Sequence, residues 1–120
     1  MRVHNYEIEK KMKRSREWYV LNYFLEDDKW GIGAIFVEGN LDCISVYKVY
    51  EDGSDLNWEH YANIQRTFRD GLLFWELNTQ FNGEGENEMW IYGYYKRFSD
   101  VVRAISKESF KGKKPMVKYK

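Results

Sequence analysis

Apolar and aromatic positions gather most densely between Glu17 and Tyr50, and their spacing organises the reading of the whole chain. Within that stretch Trp18–Leu25, Trp30–Val37 and Leu41–Tyr50 are rich in aromatic and β-branched residues, which favour strands. Asp27-Asp28 and Gly39-Asn40 read as two-residue turns between them. With those turns Glu26 lies opposite Lys29, a favourable pair of opposite charges. Leu25, Tyr23, Leu21 and Tyr19 then face Trp30, Ile32, Ala34 and Phe36, while Phe24 and Asn22 lie over Gly31 and Gly33. A ring over a strand glycine fills the place of the missing side chain. Across the second turn Phe36, Ala34 and Ile32 meet Cys43, Ser45 and Tyr47, and Ile35 and Gly33 meet Ile44 and Val46. A slip of one residue would turn every side chain to the opposite face. In this register both faces are largely apolar, so each needs a cover: a helix, a second layer or a partner.

Elsewhere the pattern is more local. Residues Arg2 to Lys10 alternate weakly and predict an edge strand with a charged outer face, the usual protection of an edge. Lys10 to Arg16 reads as a basic loop. Glu51 to Glu59 is polar and turn-rich, with Ser54 or Asp55 placed to cap a short helix near Leu56 that runs to Tyr61. The stretch His60 to Arg69 is ambiguous between helix and strand, and Asp70-Gly71, a strong hairpin signal, decides for strand. That turn sets Phe68, Arg66 and Ile64 against Leu73, Trp75 and Leu77, with Thr67 opposite Phe74 and Gln65 opposite Glu76. Arg66 over Trp75 would form a cation–π pair. Gln80 to Glu88 is an acidic, glycine-rich loop, and Met89 to Arg97 another strand. Ser99 caps a helix through about Lys107, with Asp100 at the positive end of its dipole and Val101, Val102, Ala104 and Ile105 as its apolar stripe.

The fold class that follows is α+β: a mainly antiparallel sheet of five to seven strands, built as a hairpin meander, with a C-terminal helix from about Ser99. A sandwich or partial barrel is one way to cover its second face. The 120 residues read as one domain (1–120) with a basic, loosely ordered tail from Lys111 to Lys120.

Composition narrows the class. Hydrophobic residues make up 43% of the chain and aromatic ones 18%, enough for a real core and for sticky contact surface besides. No apolar run approaches the roughly 18 residues that span a bilayer, and the start lacks the apolar centre of a secretory signal. One cysteine, Cys43, forbids an internal disulfide and fits a reducing compartment, so a cytoplasmic protein is expected. The net charge of zero hides a segregation. Residues 1–16 carry six basic and two acidic side chains, residues 17–102 six and sixteen, and residues 103–120 seven and one. An acidic body thus lies between basic ends.

Candidate chemistry is sparse. His4, His60 and Cys43 are too few for an ordinary zinc site, and Cys43, set among aliphatic residues, reads as core filler. Gly31-Ile32-Gly33 lacks the third glycine and the helix of a dinucleotide site, and Gly112-Lys113-Lys114 lacks a Walker loop. The acidic loop at 80–88 lacks calcium-loop spacing. The carboxylates in loops, Asp27/Asp28 and Glu84/Glu86, lack a rigid frame for acid–base work. No cofactor is expected, and enzymatic activity has nothing in its favour. The leading expectation is a non-enzymatic binding protein, of the inhibitor or immunity type carried by phages and toxin systems, that blocks a partner through an acidic, aromatic-rich surface. Tyr19, Tyr23, Trp30 and Tyr47 are its candidate contacts, with Arg66 and Trp75, and the partner is another protein, such as a basic nucleic-acid-handling enzyme, or a second copy. Alternatives are a nucleic-acid binder using Lys10–Arg16 and Lys107–Lys120 with nearby aromatics, and a β-fold enclosing a small ligand.

Overall fold

A computed structural model describes residues 1–83, 86–108, 110 and 114–119. The elements in chain order are β1 (Arg2–Val3), α1 (Tyr6–Lys13), α2 (Glu17–Phe24), β2 (Trp30–Val37), β3 (Asn40–Asp52), β4 (Asp55–Arg69), β5 (Leu72–Gly83), β6 (Glu86–Tyr95), α3 (Phe98–Ser106) and β7 (Val117–Tyr119). The strands form one open sheet in sequence order, β1 to β7, antiparallel throughout except for the parallel pair β1–β2. The expected α+β class holds. Among the described residues there is neither a second sheet nor a closed barrel; three helices, rather than one, lie against the sheet. The edge strands β1 and β7 have only two and three residues, which leaves little template for pairing with another chain.

The N-terminal third departs from the expected strands. Residues 6–13 are helical, not an edge strand, and the basic run from Lys10 to Arg16 closes α1 and turns into α2 instead of looping. Asn5 decides it: its side chain accepts from the Ile8 backbone N–H at 2.8 Å. Glu7 and Glu9 then occupy the first turn and Lys10, Lys11 and Lys13 the last, the order that a helix dipole favours. Trp18–Leu25, expected as a strand, forms α2. Its aromatic content suits a strand, but Leu21 and Leu25 are four apart and both fully buried, a helical spacing. Tertiary burial overrides β-propensity here. Asp27-Asp28 is accordingly a loop and not a hairpin turn, and Glu26 has no cross-strand Lys29. The N-terminal ammonium binds there instead, to the Glu26 carbonyl and, at 3.5 Å, to Asp28.

The β2–β3 hairpin turns at Glu38-Gly39, both at positive φ (51° and 82°), one residue earlier than Gly39-Asn40. A bulge follows between Ile35 and Phe36. The register therefore differs by one: Ile32 pairs with Val46, Ala34 with Ile44, Gly33 with Ser45 and Ile35 with Cys43. The slip sorts the side chains. Ile32, Ile44 and Val46 bury completely under the helices, while Gly33, Ser45 and Cys43 turn to the other face. Two apolar faces become one apolar and one polar.

Residues 55–61 are strand and not the short helix expected near Leu56, because Gly53-Ser54 makes a tight turn that pairs Asp52 with Asp55. The β4–β5 hairpin keeps the expected register throughout, from Arg69–Leu72 to Gln65–Glu76 and on to Asn63–Asn78. The Arg66–Trp75 stack does not form: the Arg66 guanidinium lies over Phe68 at 5.2 Å, and Trp75 meets Phe98 edge-on at 4.9 Å. Strands β5 and β6 run into the segment expected as a loop, whose Glu84 and Gly85 lie outside the described residues. Helix α3 begins at Phe98 with Arg97 at the N-cap position, so Ser99 belongs to its first turn. Val101, Val102 and Ile105 are its buried stripe, as expected. In the tail, residues 111–113 and 120 lie outside the described residues, and 117–119 form β7 where loose order was expected.

All three helices contribute to the same core. Met12, Leu21, Val101, Val102 and Ile105 pack with Ile32, Ile44, Val46, Ile64 and Leu77 on one side of the sheet. Lys48 also lies on this side, its ammonium 4.0 Å from the Trp30 ring centre and ion-paired with Glu108. Phe110 closes the core between the rings of Tyr61 and Tyr92, at 5.4 and 5.1 Å.

Candidate functional site: the uncovered face of the sheet

Among the described residues, the opposite face carries no helix. Register places Gly33, Ser45, Asn63, Asn78 and Ile91 in one row across β2 to β6, and Ile35, Cys43, Gln65, Glu76 and Tyr94 in the next. Bulges bound the first row: Tyr61 is the extra residue of β4 and Tyr92 that of β6, and both rings turn to Phe110 on the helix side. A bulge bends its strand and re-aims the side chains beyond it. The face is concave, and a groove of about 460 Å³ runs over both rows, bounded by Ile35 on β2 and Met89 on β6.

Side-chain hydrogen bonds on this face run in one direction. Ser45 Oγ donates to Asn63 Oδ1 at 3.1 Å, and His60 Nε2 meets the same oxygen at 2.9 Å, so that nitrogen carries the proton. Asn63 Nδ2 donates to Asn78 Oδ1 at 3.1 Å, and Asn78 Nδ2 donates to Glu76 Oε2 at 2.6 Å. Asn78 is only 4% exposed, and its carboxamide is bonded at both ends, as burial of an amide requires. Beside this chain Gln65 Nε2 donates to the Asp42 carbonyl at 3.1 Å and to its carboxylate at 3.3 Å. Among the described residues neither Asp42 nor Glu76 forms an ion pair. Cys43 lies between them. Burial first, then the charges of Asp42 and Glu76, push its thiol up to about 11. That direction is wrong for a nucleophile at neutral pH.

At the β1 end the face becomes aromatic. Tyr47 meets Trp58 and His60 edge-on, each at 5.6 Å, and Trp58 meets His4 at 5.9 Å. Trp58 also covers Gly31: a Cβ at Gly31 would sit 2.5 Å from its ring. The ring-over-glycine arrangement is therefore present, but the ring comes from β4 and not from Phe24. Among the described residues no group of three metal-ligating side chains forms, and no helix is long and apolar enough to cross a membrane.

The structure disperses the sequence-predicted contacts. Tyr47 lies on the uncovered face. Trp30 and Trp75 are buried on the helix side, and Arg66 lies on that side of β4. Tyr19 and Tyr23 are 78% and 69% exposed on the outside of α2. Tyr19, Tyr23, Trp30 and Tyr47 thus share no face. Sequence reasoning missed Asp42, Ser45, His60, Asn63 and Asn78, and saw Gln65–Glu76 only as a strand pair. A signal was present: Asn63 and Gln65 alternate with Ala62 and Ile64, and Glu76 and Asn78 with Trp75 and Leu77.

Compared with protein-family models, curated proteins and solved structures, the chain matches none of them.

Proposed function

We propose that this is a non-enzymatic binding protein that acts on another macromolecule, seating a protein partner on the uncovered concave face of its sheet. An inhibitor or immunity-type protein, of the kind carried by phages and toxin systems, is the class in view, with a basic, nucleic-acid-handling protein as the partner. One observation carries the reading: all three helices pack on one side, while the other presents a built, hydrogen-bonded polar row between an aromatic cluster and two carboxylates that form no ion pair among the described residues. Ordered carboxamides in a concave surface give directional contacts, and half-buried aromatic rings give contact area. The acidic body adds electrostatic attraction toward a basic surface. The single free cysteine suits the cytoplasm.

The test compares the wild-type protein with Ser45→Trp, both immobilised, in capture from cells of the source. Ser45 faces Gly33 across the strands, so the indole fills the groove and leaves the helix-side core untouched. A defined partner held by the wild type and lost by the folded variant supports the reading. Equal capture by both, or a dimer that uses this face for a second copy, overturns it.

A second reading has its own observation. Lys10, Lys11, Lys13, Arg14 and Arg16 are all exposed around the end of α1 and the start of α2, a surface suited to phosphate. No binding to single- or double-stranded oligonucleotides, even at low salt, would exclude it.

A further inference from the structure

We propose that the groove is a cation-selective subsite, which takes the ammonium or guanidinium group of a partner's lysine or arginine between Asp42 and Glu76. The proposal rests on the reading of this face as the protein-binding surface and names the chemistry of its central contact.

The hydrogen-bond chain gives the groove its polarity. Ser45 and His60 donate to Asn63, Asn63 to Asn78, and Asn78 to Glu76, so every side-chain dipole in the row points its donor toward Glu76. The row ends on an acceptor, not on a donor. Each carboxylate spends one oxygen on a neighbouring amide: Asp42 Oδ2 on Gln65 and Glu76 Oε2 on Asn78. The other oxygens, Asp42 Oδ1 and Glu76 Oε1, have no hydrogen-bond partner among the described residues. A group made only of donors completes such a site, and ammonium and guanidinium are the side-chain groups of that kind. An anion would meet two like charges in the same space.

Size and walls select the occupant further. A groove of about 460 Å³ is far larger than a lone ion needs, and among the described residues no ligating trio is present to hold a metal. It is of the size that accepts an organic group with its alkyl stem. The raised thiol of Cys43 agrees with this: after burial, the charges of Asp42 and Glu76 push it up together.

Cys43 is the single cysteine of the chain and borders the groove, so it reports the local potential. Methanethiosulfonates of similar size, one carrying a quaternary ammonium and one a sulfonate, are reacted with the native protein and with the urea-unfolded chain. Their rate ratio cancels the thiolate fraction common to both reagents. The expected native ratio favours the cation by about tenfold over the unfolded chain, the scale of two nearby unit charges in a partly solvated site. It falls toward one in Asp42→Asn with Glu76→Gln and stays unchanged in the remote Glu17→Gln. Raising the salt concentration weakens the preference in the wild type, which keeps the test decisive should the double variant not fold. A native ratio equal to the unfolded one, or one indifferent to both substitutions and salt, overturns the subsite. A cation-selective groove in a protein that captures no partner overturns the protein-binding reading instead.

Discussion

Gly31→Ala tests the packing that joins β1, β2 and the aromatic end of the face. A methyl added at Gly31 would lie 2.5 and 2.7 Å from Trp58 ring carbons and 2.8 Å from Val49 Cγ2. Alanine in a strand ordinarily gains about 0.5–1 kcal/mol over glycine, by removing freedom from the unfolded chain. Overpacking a close contact costs about 1–3 kcal/mol. Val49 is only 7% exposed and cannot swing aside, and moving the Trp58 ring breaks its edge contacts with His4 and Tyr47. The clash therefore outweighs the gain, for a net loss of about 1–2 kcal/mol. For a chain of 120 residues that is a fall in Tm of about 4–8 °C. Thermal unfolding followed by far-ultraviolet circular dichroism measures it, and a double-mutant cycle with Trp58→Ala locates it. In the Trp58→Ala background the methyl meets only Val49, and the penalty shrinks by about 1 kcal/mol. A Gly31→Ala protein as stable as the wild type, or a penalty untouched by Trp58→Ala, would refute the close packing.

Phe110→Ala removes a 96% buried ring lodged between Tyr61 and Tyr92 and should cost about 3 kcal/mol by chemical denaturation; a loss below about 1 kcal/mol would contradict its place in the core. Stability should also fall at alkaline pH. The folded state holds Cys43 as the neutral thiol up to about 11 against an ordinary value of 9.0, so the unfolded chain releases its proton first and stability drains away as pH rises between those values. Tyr61, raised by burial, and Tyr95, raised by burial and then by Asp100, act in the same sense. Cys43→Ala should flatten the first part of that fall in a pH series of urea melts, and an unchanged slope would refute the cysteine's share.

Legibility in the sequence followed the strength of local chemistry. Asp70-Gly71 demands positive φ, which both residues adopt, and the flanking alternation admits only one register, so β4–β5 pairs as expected. The α3 stripe of Val101, Val102 and Ile105 was equally explicit. In Trp18–Leu25 the competing signals conflict: aromatic content favours a strand, yet Leu21 and Leu25 at a spacing of four fit a helix face, and the core settles it. At Glu38-Gly39 the error was a single residue. Glutamate at positive φ is uncommon, so Gly39-Asn40 is the stronger turn signal in the sequence, and it sets Val46 opposite Gly33. That one step hid the candidate site, because it mixed Ser45 and Cys43 into an apolar face.

The site also depends on a feature that alternation does not encode. In a regular strand His60 and Asn63, three residues apart, point to opposite faces. Here the β3–β4 register shifts between Val46 and Tyr47, so that Val46 pairs with Ala62 and Tyr47 with His60. Tyr61 absorbs the extra residue and sends its ring to Phe110, and the parity of β4 changes at that point. Trp58 and His60 before the bulge, and Asn63 and Gln65 after it, then lie on one face. The 2.9 Å contact of His60 with Asn63 is the local consequence. The same device recurs at Tyr92 on β6, whose ring meets the other side of Phe110. One buried phenylalanine on the helix side thus holds both bulges, and through them the aromatic cluster and the polar row keep a common surface. A core residue outside the groove, on the far side of the sheet, helps to set the groove's composition.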